Sequence, residues 1–468
     1  MKKNKLQSLA LSLLAAGFLF TSCEKEDVNE LTEVDAVQLE EAPFTNYMVI
    51  ATSSELTKSV ENFLKTGGGE IVSSIPEIGI SIVSSKDANF INNTLKNKDV
   101  ESVVPDYEIA WIPNDVKEEA LVASIGDDET YYYYQWNFPA ISAPQAWNLG
   151  HTGKGASVYV LDSGVSGTHP DLAPNLNREL SKSFIAGQGW HAAAGFSSHG
   201  THVAGTIAAA DNGMGVIGVA PNAEIVAIKV LSGITGSGPF SAISAGIVYS
   251  GSQGADVINM SLGATLNKNG KLIDANGVPY QIPAKYVMEI VNAQQKAIDY
   301  AYRQGSTIIA SAGNDPTNYD GNSAFIKLPG GLNNVITVSA TSPVGWDFDT
   351  NPVTNFDVPT SYTTHGKSLI DVAAPGGDVN FQLPNGYYSG LDRILSTTVT
   401  GWGWAAGTSM AAPHVSGVAA LIIAKNGGTM DPHEVTMKIY NTADNVDGPG
   451  QSVYFGKGRI NAYRAVTE

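Results

Sequence analysis

The chain carries a single cysteine, Cys23, among 468 residues, which excludes any intrachain disulfide. Basic residues are also scarce: 27 Lys and Arg stand against 45 Asp and Glu, a net charge of −18. With no Lys/Arg-rich block after the first five residues, nothing would offset phosphate repulsion, so a nucleic-acid partner is excluded. No repeat of 20–50 residues recurs. No apolar run is long enough to cross a bilayer comfortably; the longest, residues 6–20, falls short. What is present is a hydrophobic content of 43%, enough for a sizeable core, and a length that fits one large α/β domain with appendages.

The N-terminus has the layout of an export signal: Lys2, Lys3 and Lys5 form a basic start and residues 6–20 an apolar middle. The run Leu19-Phe20-Thr21-Ser22-Cys23 then resembles a bacterial lipobox, in which the cysteine is lipidated and becomes the mature N-terminus. The expectation is a signal peptide over 1–22, a lipid on Cys23, and an exported, membrane-anchored protein facing the periplasm or the cell surface. An ordinary secretory signal with an incidental cysteine is the alternative. Residues 23–43 are acidic and poor in aromatics and read as a disordered tether.

Residues 44–113 form a pattern of their own. Strands are expected at 47–51, 71–72, 78–83 and 100–104, with helices from 53 to 64 and from 88 to 96. The order β-α-β-β-α-β is that of a small α+β, ferredoxin-like domain. Residues 114–130 are acidic and patternless, a linker. From 131 to 468 β and α signals alternate: strands at 157–161, 223–230, 256–261, 307–312 and 335–340, helices at 201–210, 240–253, 291–304 and 409–425. Near-continuous apolar strands between helices imply an α/β domain with a parallel sheet covered on both faces. Residues 265–290 and 342–365 read as loop-like insertions. No further domain is expected after Gly458-Arg459-Ile460-Asn461.

Three separated segments in this domain each present a residue suited to acyl transfer. Asp162 ends the apolar run 158–161, His199 opens His-Gly-Thr-His-Val-Ala-Gly, and Ser409 lies in Gly-Thr-Ser-Met-Ala-Ala-Pro. Ser409 alone is a weak nucleophile and needs a base, and the base needs an orienting carboxylate. Asp162, Ser261 and Asn314 fall at carboxyl ends of expected strands, where sites in such sheets lie. Taken singly, Asp162 reads as a turn residue, His199 as a helix start and Ser409 as an N-cap.

These segments, in the order Asp, His, Ser, resemble those of the subtilisin-like serine proteases, the subtilases; the resemblance spans roughly residues 131–468. It implies a subtilisin-like peptidase fold and a serine endopeptidase that needs no cofactor for its chemistry, acting on proteins or peptides. It assigns Asp162, His199 and Ser409 to the triad and Asn314, in Ser-Ala-Gly-Asn-Asp, to the oxyanion hole with the Ser409 N–H. It makes Gly236, Ser237 and Gly238 an edge that pairs with substrate backbone. Ser261, Leu262 and Gly263 oppose it and, with residues 310–313, line the pocket for the residue before the scissile bond. It suggests a structural calcium ion held by Asp171, Asn212 and carbonyls of Ala210, Met214 and Val216, although Tyr132 stands where the family often has Gln. It makes residues 44–113 an inhibitory propeptide, with self-cleavage between 113 and 131.

Other readings are weaker. Residues 213–218 fit G-x-G-x-x-G but follow a helix rather than a strand, against a nucleotide site. His199 and His202 have no third ligand nearby to make a metal site, and His202 reads as a packed helix residue. Pro413 is expected in a first helical turn, where no N–H is missed. A lipase or esterase is disfavoured because Ser409 lacks a G-x-S-x-G elbow. The rival from another class is an inactive surface lipoprotein that binds peptides with a subtilisin-like fold; it requires a lost catalytic group, and none is missing.

Overall fold

The computed structural model of the chain describes residues 45–53, 58–66, 68–112, 129–273, 279–346, 355–379 and 390–468. Cys23, the signal and tether, and most of the linker lie outside them.

The first part is built from β1 (Asn46–Ala51), α1 (Lys58–Thr66), β2 (Glu70–Ile75), β3 (Ile80–Ser84), α2 (Phe90–Thr94) and β4 (Val100–Pro105). The strands form an antiparallel sheet in the order β2-β3-β1-β4. Alternation along β1 gives the sheet two apolar faces. Tyr47 and Val49 face Val60, Leu64 and Phe90 of the domain's own helices. Met48 and Ile50, with Ile80, Ile82 and Val104, join the core of the large domain instead. Beyond β4 the chain runs on as a short strand, β5 (Glu108–Ala110).

The large domain contains β6 (Ser157–Asp162), β7 (Lys182–Ser183), α3 (His199–Ala208), β8 (Glu224–Lys229), β9 (Ser237–Pro239), α4 (Phe240–Ser252) and β10 (Val257–Met260). There follow β11 (Ala264–Asn267), α5 (Ala284–Arg303), β12 (Thr307–Ser311), β13 (Phe325–Leu328), β14 (Val335–Ser342), β15 (Val358–Pro359), β16 (Val372–Pro375) and α6 (Thr408–Lys425). Its main sheet has the order β15-β14-β12-β10-β6-β8-β7, with β16 also on β14; only the β14–β15 pair is antiparallel. Val158 and Val160 point to the face covered by α3 and α6, Tyr159 and Leu161 to the face covered by α4 and α5. This is the α/β class with a mostly parallel sheet covered on both sides.

Two expectations need correction. Residues 284–290 are not loop: α5 begins at Ala284, right after Pro283, and Val287, Ile290, Val291, Gln294, Ala297 and Ile298 make its buried stripe. The rest of that insertion is ordered into β11, paired with β13, and a hairpin of Lys271–Ile273 with Pro279–Gln281. Pro413 is not in the first turn, because α6 starts at Thr408. A proline there removes the N–H that would bond the carbonyl four residues back, which is that of Ser409. The Ser261 hydroxyl donates to that carbonyl instead, at 2.8 Å.

Candidate active site

β6 delivers Asp162 at its carboxyl end and α3 delivers His199 as its first residue. The His199 Nδ1–H faces both carboxylate oxygens of Asp162 at 2.9 Å, and both residues are buried. Close approach depends on Gly200: a Cβ there would stand 2.3 Å from the Gly164 carbonyl and 3.0 Å from Asp162. The Ser163 N–H donates to Asp162 Oδ1 at 2.6 Å. Behind this pair lies Lys229, opposite Asp162 in the β6–β8 register and fully buried, its ammonium donating to the Ser163 carbonyl. Burial pulls the Lys229 pKa down to about 8, while the Asp162 carboxylate acts the other way.

The other ring nitrogen of His199, Nε2, is buried without a hydrogen-bond partner. Ser409, second residue of α6, donates its hydroxyl to the Ser261 carbonyl at 3.1 Å. Ser261 is fixed in turn by Asn259 Nδ2 on its hydroxyl at 3.0 Å, and Ser416 donates to Asn259 Oδ1 at 2.8 Å. Asn314 follows β12, and its side-chain oxygen accepts from the Thr408 N–H at 2.9 Å and the Thr408 hydroxyl at 2.8 Å. That grip fixes the amide plane next to the start of α6 and leaves Nδ2 as the free donor end. The start of α6 adds the positive end of the helix dipole there.

The two expected substrate segments are brought together around a piece of the chain itself. β5 lies antiparallel on β9, with Ile109 opposite Gly238 and Ala110 opposite Ser237. The next residue, Trp111, accepts from the Gly263 N–H at 3.0 Å, and its own N–H reaches the Gly236 carbonyl at 3.5 Å. The Trp111 indole N–H donates to the Gly238 carbonyl at 2.8 Å, and its ring meets Phe240 edge-on at 4.9 Å. Residues 108–111 thus form a strand between Gly236–Gly238 on one side and Gly263 on the other. Ser261 faces Ser409, and Leu262 accepts at its carbonyl from Ser311 Oγ at 3.3 Å.

The loop expected to hold calcium does close on Asp171. Ala210 N–H donates to the Asp171 carbonyl at 2.7 Å, and Val216 N–H and Trp402 Nε1 donate to Asp171 Oδ2 at 3.0 and 2.7 Å. The Asn212 side-chain oxygen is turned onto the Met214 N–H at 3.2 Å. The Tyr132 N–H donates to the Glu129 carbonyl at 3.2 Å, and its ring lies tilted 6.4 Å from Trp147. A residue the sequence reading passed over, Glu129, comes in instead: Oε1 accepts from Asn212 N and Gly213 N at 2.6 and 2.8 Å. Glu129 Oε2 and Asp171 Oδ1 are buried without partners. Burial raises both carboxyl pKa values, and Asp171 pushes Glu129 further up. Orphaned oxygens on adjoining buried carboxylates suit a hard cation with carbonyl co-ligands. Among the described residues no cluster of three or more His, Cys, Asp or Glu side chains gathers into a metal site. His202 is no ligand: its Nε2 faces the Ile394 and Gly403 carbonyls at 3.1 and 3.2 Å, and burial, then His199, pull its pKa to about 3.

Of the residues that complete this picture, Lys229, Glu129 and Trp111 carry no motif. Trp111 was the most accessible to sequence reading, as an aromatic just past the last strand of the small domain.

Comparison with known proteins agrees with the architecture. A model described as the subtilase family matches residues 153–458. Thermitase of Thermoactinomyces vulgaris is 35% identical over 347 residues, 73% of this chain and 98% of that protein. Subtilisin E of Bacillus subtilis is 34% identical over 355 residues, 75% of this chain and 77% of its own length. Among solved structures, the epidermin leader peptide processing serine protease of Staphylococcus aureus superposes with a TM-score of 0.71 at 23% identity, covering 90% of this chain and 98% of that one.

Proposed function

Because the chain belongs to the subtilase family and is a serine-type endopeptidase, we propose that Ser409, His199 and Asp162 perform its peptide-bond hydrolysis as nucleophile, base and orienting carboxylate. The observation that carries this reading is the His199 ring, gripped on Nδ1 by Asp162 at 2.9 Å while Nε2 is buried and unpartnered. Rotation of the Ser409 hydroxyl from the Ser261 carbonyl onto Nε2 completes the triad; such bonds often tighten only with substrate. His199 takes the Ser409 proton as Oγ attacks the scissile carbonyl. Asn314 Nδ2 and the Ser409 N–H receive the oxyanion. His199 returns the proton to the leaving amine, and water then hydrolyses the acyl-enzyme by the reverse roles. A Ser409-directed phosphonate tests the assignment: the protein is expected to label at Ser409, and an intact, processed protein that never labels would overturn it.

Residues 44–113 act as an inhibitory propeptide on this reading, supported by β5 and Trp111 lying between the two substrate segments in the manner of a bound peptide. Cleavage falls before Glu129, since that side chain belongs to the Asp171 loop. N-terminal sequencing of wild-type and Ser409→Ala protein tests self-processing; the same mature N-terminus in both would assign the cut to another protease. At the Asp171 loop, Asp171, Glu129, Asn212 and carbonyls of Ala210, Met214 and Val216 would hold a calcium ion, whose part is to brace the loop. Cys23 would carry a lipid that tethers the exported enzyme, periplasmic or surface-facing, to a membrane. Metabolic labelling with an alkynyl fatty acid, lost in Cys23→Ala, tests the anchor. No helix of the described residues is long and apolar enough to cross a membrane.

A further inference from the structure

One buried cation in the substrate channel has no part in the steps above. Lys327 lies on β13, opposite Thr265 of β11. Its ammonium ends against Gly313: a Cβ placed there would stand 2.1 Å from Nζ and 2.6 Å from Cε. A Cβ on Gly263 would lie 3.5 Å from the same Cε. The amine therefore sits between the two segments expected to line the pocket for the residue before the scissile bond, one residue from Asn314. Both walls lack a side chain at the point of contact. Lys327 is 5% exposed, and the one hydrogen bond its ammonium makes among the described residues is to Thr265 Oγ1 at 3.3 Å. An ammonium has three donors, so two remain to be used. Asp315 acts on it electrostatically but makes no ion pair with it. A charge withdrawn from water without a partner is costly, and an incoming anion would relieve that cost.

We propose that Lys327 is the specificity-determining residue of this pocket and selects substrates with Glu or Asp immediately before the cleaved bond. The carboxylate of such a side chain would enter between Gly263 and Gly313 and accept from the Lys327 ammonium. An amide of the same shape offers a neutral oxygen and an NH₂ that faces the cation unfavourably. The inference rests on the assignment of Ser409 and its flanking segments given above.

The test is kcat/KM of the mature enzyme on matched peptides that differ only at that residue: Glu, Gln, Ala, Phe and Lys. A charge-assisted hydrogen bond in a dry pocket predicts Glu over Gln by about ten- to a hundredfold. Lys327→Gln should level Glu with Gln, and Lys327→Glu should turn the preference to Lys. Equal rates on Glu and Gln peptides in the wild type would overturn the proposal without any variant. A preference for Ala over all others, with Lys327 acting as a plug, would do so too, as would an acidic preference that survives Lys327→Gln. Absence of turnover on every peptide together with no phosphonate labelling of Ser409 would instead overturn the assignment of the site, and this inference with it.

Discussion

Ser409 is held by a carbonyl on either side of its function: its hydroxyl donates to Ser261, and its own carbonyl accepts from the Ser261 hydroxyl. The second bond exists because Pro413 has no N–H to give. Ser261→Ala should therefore leave a buried carbonyl unsatisfied and cost about 1–3 kcal/mol. In a Pro413→Ala background the restored N–H should take most of that cost away. Denaturant unfolding of the four members of this cycle checks it; strict additivity would show that the hydroxyl and the missing N–H are unrelated. Lys327 gives a second expectation. Burial pulls its pKa to about 8, so its charge is present below that value and lost above it. Asp315, after β12, acts on it, and Tyr319 shares its partner, with a hydroxyl 3.0 Å from Thr265 Oγ1. Tyr319 is pushed up by burial and stays neutral near pH 8. The rate ratio of Glu to Gln peptides should thus fall as pH rises through about 8. At this scale the sequence was informative wherever chemistry is local. Asp162, His199, Ser409 and Asn314 each sit in a short segment whose neighbours announce them. Lys327 and Glu129 do not: one is an ordinary lysine on a short strand and the other an acid among acids. Only the fold brings the first to Gly313 and the second to Asp171.

The element that joins the two domains is β5 with the residues around it. Asp106 accepts from the N–H and hydroxyl of Ser241, at the start of α4, and Glu108 accepts from the Ser237 hydroxyl at 2.7 Å. Burial pushes the Asp106 carboxyl up to about 6, against the pull of its Ser241 bonds. Its pKa is raised in the docked state over the ordinary 3.8, so protonation favours docking, and affinity is lost as pH rises through about 6. Separately added propeptide should inhibit the mature enzyme about tenfold less tightly at pH 8 than at pH 5. Asp106→Asn should flatten that dependence. Trp111→Ala should weaken inhibition at every pH, by roughly 3 kcal/mol or about a hundredfold, since it empties a buried indole site. Inhibition constants across the pH range separate the two effects. The central strands and the long helices expected in the large domain lie within a few residues of where their regular apolar spacing puts them, apart from the start of α5; short edge elements such as β7 and β15 were not expected. The first turns of α5 were missed: they fell inside a stretch read as an insertion, although Pro283 marks the start and Val287 and Ile290 begin the stripe. The span of α6 hid the place of Pro413 for a related reason. Where a helix begins is set by its Gly407 end and its packing, not by the proline.

On the scale of the whole molecule, the fold class was readable from the alternation of apolar strands and helices. The docking of the small sheet on α4 and α5 was not, because a strand apolar on both faces looks the same whichever neighbour covers it. Calcium offers a global test. If Glu129 and Asp171 share the ion, its removal should lower the unfolding temperature by roughly 5–10 °C, measured against calcium at a hundredfold excess over Kd. Glu129→Gln should shrink that difference, with the unfolding midpoint as the readout. An unchanged midpoint in chelator would remove calcium from the site. The small domain offers another. Met48, Ile50, Ile80, Ile82 and Val104, covered by the large domain, would each forfeit about 1.5–3 kcal/mol on exposure, comparable in sum with the stability of a typical domain. Residues 44–113 alone should be largely unfolded by circular dichroism and fold on addition of mature Ser409→Ala protein. The second face of that sheet then has a bearing on timing. While the linker is intact, the two domains meet at the high effective concentration of one chain. If residues 44–113 are the inhibitor proposed above, then once the linker is cut every brief departure would leave the small domain without half its core and open to proteolysis. On that proposal the sheet biases the passage to activity in one direction: a released inhibitor can fold again on the enzyme, but only if it does so faster than it is degraded.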